Sequence, residues 1–155
     1  MVTITTQEFA ENVGLALGLG ALIGLERELR ARDAGMRTNA LVAAGAAVFT
    51  MVARIFGDSG PLAAQIISGI GFMGAGNILK SGEHVKGLTT AATLWSVAGI
   101  GMVAGSGHPG YALIAFGGVL IVNLILLPLD HWLLNHHITP GAEKPRPNGD
   151  NNPVP

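Results

Sequence analysis

Five long apolar runs, separated by short polar breaks, fill the chain as far as residue 134. The first, over 6–25, opens on Thr5 with Glu8 three positions later, a pairing that caps a helix N-terminus. Glu11 and Asn12 interrupt its outer end, and the charged stretch ERELRARDAGMR follows it. A second run covers 38–56, with Arg54 near its end. Residues 57–60 make a turn, and Pro61 suits the first position of a third helix over 61–79. Residues 80–86, carrying Lys80, Glu83, His84 and Lys86, read as a polar loop. The fourth run is 88–104 and the fifth 109–134, where Pro128 removes one backbone donor. A hydrocarbon layer about 30 Å thick takes about 20 helical residues to cross, and these runs match that length. The expected fold is an all-α integral membrane protein, a bundle of about five transmembrane helices within 1–138. Residues 139–155, rich in Pro and Asn, read as a disordered tail.

Composition supports a bilayer rather than water as the solvent. The 155 residues are 12% charged and include 23 Gly, against about 25% charged and about 7% Gly in soluble domains. Small residues bury little area, but in a membrane they let helix backbones approach closely. Gly14/Gly18 and Gly20/Gly24 are two such GxxxG pairs on different faces of the first run. The formal net charge of −1 leaves no electrostatic basis for nucleic-acid binding. With no Cys, disulfides and thiolate metal sites are excluded. Residues 1–12 carry acids and no base, which is not the start of a cleavable signal peptide, so the first run is expected to stay in the protein.

Charge distribution sets a topology. Five alternating spans put the first loop, the 80–86 loop and the tail on one side, with Arg27, Arg30, Arg32, Arg37, Lys80, Lys86, Lys144 and Arg146. Only Arg54 falls on the other. Such a bias places the N-terminus outside and the tail in the cytoplasm. A soluble or re-entrant first segment would leave four spans and move that segment inside.

Candidate chemistry is sparse. Gly69-Ile70-Gly71-Phe72-Met73-Gly74 fits the dinucleotide fingerprint literally, yet it lies inside an apolar run with no acid at the required offset. Thr89, Thr93 and Ser96 recur at i, i+4 and i+7, a line of hydroxyls on one face of the fourth span. The ordinary reading is that they bond back to their own helix. The functional one is a polar seam facing Gly71 and Ala75. No span carries an ionisable group near its centre, which argues against an ion-coupled carrier. His131 and His136, at i+5, miss the spacing of a helical metal site, Asp130 and His137, at i+7, can share a face, and the group as a whole suits a membrane interface. Arg32, Gly35 and Arg37 form a basic turn, read first as a membrane anchor and second as a docking turn for lipid phosphate or a partner. No nucleophile–base pair appears, so no enzymatic activity, catalytic residue or bound cofactor is expected.

The stretches ALIGLERELRARDAGMRTNALVAAGAAVF, SGIGFMGAGNIL and GLTTAATLWSVAGIG together resemble the MgtC/SapB family of small bacterial inner-membrane proteins. Gly82, Gly87 and Trp95 match the family pattern, and with Gly74 they join Arg32, Gly35, Arg37, Gly71, Thr89, Thr93 and Ser96 as functional candidates. The resemblance implies a non-enzymatic, homo-oligomeric protein that supports magnesium or other cation homeostasis through other membrane proteins. The F-type ATP synthase is a partner attached to some members, and Mg²⁺ enters as a ligand or signal. The alternative is a small transporter or oligomeric channel for Mg²⁺ or another cation. Virulence-type members resemble GLNTAATLWCSAAVG in the fourth span, where this chain has Thr89 for Asn and Ser96 for Cys. They also carry a soluble C-terminal domain, so the chain is expected to be a short, SapB-like member.

Overall fold

The computed structural model describes residues 3–57, 59–81 and 84–126. Five helices alternate direction: α1 (Thr6–Leu29), α2 (Met36–Phe56), α3 (Ser59–Gly76), α4 (Leu88–Gly105) and α5 (Pro109–Ile121), the last running on as a π-helical turn, Val122–Leu126. Among the described residues four stretches, Thr6–Leu29, Met36–Phe56, Leu88–Gly105 and Pro109–Leu126, are long and apolar enough to cross a membrane. With α3 beside them, the chain is an all-α membrane bundle. Between α3 and α4, the expected loop is instead a short antiparallel hairpin, β1 (Leu79–Ser81) with β2 (His84–Lys86), in the register Leu79↔Lys86 and Ser81↔His84. The ladder supplies partners for backbone groups that no helix serves there. The expected tail, Pro128 and the Asp130–His137 cluster lie outside the described residues.

Helix ends follow local chemistry. The Thr5 hydroxyl accepts from the Glu8 N–H at 3.1 Å, the expected cap of α1. At the far end, α1 continues four residues beyond the apolar run, to Leu29. Helix α2 starts at Gly35, which has no side chain to cap with, and the Glu28 carboxylate accepts from the Met36 N–H at 3.1 Å in its place. Gly57, with φ of 70°, closes α2 in the left-handed conformation that glycine adopts without a Cβ penalty.

Glycine against backbone holds the centre. A Cβ on Gly20 would lie 2.5 Å from the Asn39 carbonyl oxygen of α2, and one on Gly24 would lie 2.5 Å from Met36 Cα. On the other side of α2, Gly101 and Gly105 of α4 abut the carbonyls of Ala43 and Ala47 more closely still. Helix α2 is thus clasped between a GxxxG face of α1 and another of α4, the small-residue packing that bilayers favour. A Cβ added at Gly14 or Gly18 would meet nothing within 4 Å, so among the described residues it is the second GxxxG pair of α1 that packs inside the chain. Between the glycine contacts, the core is Ala16, Leu19, Ile23, Ala43, Ala47, Leu94, Val97 and Ile100. Helix α3 meets α4 through Gly74, whose added Cβ would lie 3.5 Å from Ala91 Cβ.

At the end of the bundle opposite the hairpin, Arg54 joins three helices. Its Nη1 lies 3.1 Å from Glu8 Oε1 and donates to the Gly105 carbonyl at 3.1 Å. Both side chains keep part of their surface open to solvent, so screening limits the pair. Glu8→Gln is expected to lower unfolding stability by less than about 1 kcal/mol. Denaturation in mixed micelles reads this directly, and a larger loss would mean that the pair is shielded from water.

A buried arginine at the basic end

Arg27 sits near the C-terminal end of α1 and is only 3% exposed. Helical spacing puts it there: Asn12, Ala16, Leu19, Ile23 and Arg27 lie on one stripe of α1, and all are buried. The guanidinium is engaged with neutral oxygens. Nε and Nη2 donate to the Asp33 carbonyl at 2.9 and 2.7 Å, Nη2 to Thr90 Oγ1 at 2.6 Å, and Nη1 to Thr93 Oγ1 at 3.3 Å. Among the described residues no carboxylate pairs with it. A buried charge is tolerated only when hydrogen bonds replace its water, and here four of the five guanidinium N–H groups find acceptors.

The turn between α1 and α2 is shaped to supply that carbonyl. Ala31 and Ala34 adopt φ of 52° and 58°, the left-handed region that costs a Cβ-bearing residue roughly 1–2 kcal/mol. Surrounding bonds hold them there. The Arg32 N–H donates to the Arg27 carbonyl at 2.9 Å, and the Asn39 amide donates to the Ala34 and Gly35 carbonyls from the first turn of α2. Asp33 is thereby presented with its carbonyl turned inward to Arg27 and its side chain on the surface.

Of the polar group Arg27, Thr90 and Thr93, the sequence pattern singled out only Thr93. Arg27 was grouped with the charged loop, although it continues the buried stripe of α1. The expected hydroxyl seam at Thr89, Thr93 and Ser96 is therefore rotated. Thr93 is buried, but its companion is Thr90, whereas Thr89 is exposed. Thr93 and Ser96 also bond back to their own helix, to the Thr89 carbonyl at 2.8 Å and the Ala92 carbonyl at 2.9 Å. Nor does the seam close on Gly71, where an added Cβ would meet nothing within 4 Å among the described residues.

The other candidates scatter. Arg32 and Arg37 are exposed, and Gly35 lies between Glu28 and the start of α2. Trp95 is 52% exposed and borders a small cavity of about 90 Å³ between α3 and α4. Gly87 begins α4 with φ of 88°, and any Cβ there would collide with the Asn77 carbonyl. Gly82 lies outside the described residues. Arg32, Gly87 and Thr89 come together with Arg27 around a cavity of about 710 Å³ at the basic end.

A family model described as the MgtC family matches residues 13–132, a stretch that contains the buried arginine, its turn and both threonines. The chain belongs to the MgtC family. Among its curated relatives, Protein MgtC of Brucella abortus is 49% identical over 130 residues, covering 82% of this chain and 55% of that protein. Protein MgtC of Salmonella paratyphi A is 53% identical over 135 residues, covering 86% and 58%. The chain thus spans little more than half the length of these MgtC proteins. No solved structure matches it. Family membership and the apolar helices together make it a multi-pass membrane protein of the MgtC type.

Proposed function

We propose that this MgtC-family chain is a non-enzymatic protein of the bacterial inner membrane that supports magnesium or other cation homeostasis by contact with other membrane proteins. The observation that carries this reading is the packing of the bundle centre. There, glycines press on backbone, and the intervening core is Ala, Leu, Val and Ile. A cation crossing such a core would lose its water without finding oxygen ligands. The buried threonine hydroxyls are spent on Arg27, itself a cation, at one end of the bundle. Outward, Leu113, Ile114, Ile121 and Phe72 offer apolar surface to lipid or to a neighbouring helix. The charge bias supports an N-terminus outside and the basic end in the cytoplasm.

Proteoliposomes test the reading against transport. Under an imposed Mg²⁺ or K⁺ gradient, vesicles holding the protein are expected to release no more ion than empty ones. Crosslinking in cells limited for Mg²⁺ is expected to capture a distinct membrane protein. Flux above the empty-vesicle rate would establish a channel or carrier instead.

A further inference from the structure

The cavity at the basic end has a purpose that the buried arginine alone does not account for. Its charged lining is Arg27, Arg30, Arg32 and Lys86 against Glu26 and Asp33, an excess of two positive charges. Glu26 is already committed to Arg30, at 2.8 Å. Arg32 on the α1–α2 turn and Lys86 on β2 have no carboxylate partner among the described residues. They face one cavity from two separate parts of the chain. Its volume of about 710 Å³ falls in the range of small-molecule sites, roughly 300–1,000 Å³.

The cavity lining is both charged and apolar. The same cavity is lined by Leu88, Val122 and Leu126, each about half exposed, from the start of α4 and the π-helical turn after α5. Asn123 also lines it, and its Nδ2 is buried without a hydrogen-bond partner among the described residues. A π-helical turn at a ligand site is a recurring arrangement. The fitting ligand is negatively charged at one end and apolar at the other, and it lies level with the ends of membrane-crossing helices. We propose that this cavity holds the phosphate headgroup of an anionic phospholipid, with its acyl chains leaving along Leu88, Val122 and Leu126. Arg32 and Lys86 supply the charge, Asn123 an amide donor, and the bonded Arg27 a fixed positive floor. The proposal is independent of how the protein affects cation balance.

The test uses the purified full chain in a neutral detergent, with its melting midpoint followed as short-chain phosphatidylglycerol is added. The midpoint is expected to rise saturably with phosphatidylglycerol, and not with phosphatidylcholine of the same chain length. Arg32→Gln with Lys86→Gln, two exposed positions, is expected to weaken binding about tenfold or more. Arg37→Gln, an exposed base outside the cavity lining, is expected to leave it unchanged. Raising salt from about 50 mM to about 500 mM is expected to weaken wild-type binding, which holds whether or not a variant folds. Equal stabilisation by phosphatidylcholine, or indifference to both salt and the double substitution, would overturn the site. Inorganic phosphate reproducing the whole shift would overturn the lipid assignment.

Discussion

Thr90→Val with Thr93→Val is expected to destabilise the bundle by about 3 kcal/mol or more, and Arg27→Met added to that pair is expected to restore most of the loss. Valine keeps the shape of threonine but removes an acceptor. The double substitution therefore leaves a buried guanidinium with only the Asp33 carbonyl, and each hydrogen bond to a charged group is worth about 1.5–3 kcal/mol. Removing the charge as well replaces a deprived ion by apolar contact, a change that is often neutral or favourable. The ordering is the diagnostic: the triple variant more stable than the double. Unfolding titrations of the wild type, the Thr90→Val/Thr93→Val pair, Arg27→Met alone and the triple variant in mixed micelles measure the coupling as a double-mutant cycle. A triple variant no more stable than the double would mean that Arg27 reaches water and does not depend on the threonines.

The second large effect is steric. Gly101→Ala is expected to cost about 1–3 kcal/mol, and Gly101→Val more, because the new carbon meets the Ala43 carbonyl of α2 rather than a movable side chain. The neighbouring Gly99→Ala, with nothing within 4 Å of its added carbon, is expected to be neutral or to stabilise by up to about 1 kcal/mol through helix propensity. Both changes are chemically identical and lie two residues apart, so propensity cancels in their difference. Equal outcomes in the same unfolding assay would mean that α2 and α4 do not touch at Gly101.

These two sites mark what could and could not be read from the residues. Helix number, order and the bilayer setting were legible, because apolar runs of membrane length broken by polar turns admit few other arrangements. The faces of the helices were not. In α4 nearly every residue is small or apolar, so i, i+4 spacing fits several faces equally, and the hydroxyl line was drawn through Thr89 when burial selects Thr90. Gly14/Gly18 and Gly20/Gly24 are the same motif, and only the position of α2 separates them. Arg27 was obscured for the opposite reason. Standing in a run of charges, it looked solvated, and its place on the Ile23 stripe was the clue that outweighed its neighbours.

The two halves of the Arg27 cradle are made at different times. Asp33 emerges from the ribosome six residues after Arg27, while Thr90 and Thr93 follow 63 and 66 residues later. A nascent chain that has inserted only α1 and α2 thus carries a guanidinium with part of its acceptors, held near the membrane surface where water supplies the others. The α1–α2 hairpin cannot seat fully until α4 arrives. One side chain thereby ties completion of the early hairpin to synthesis of a late helix.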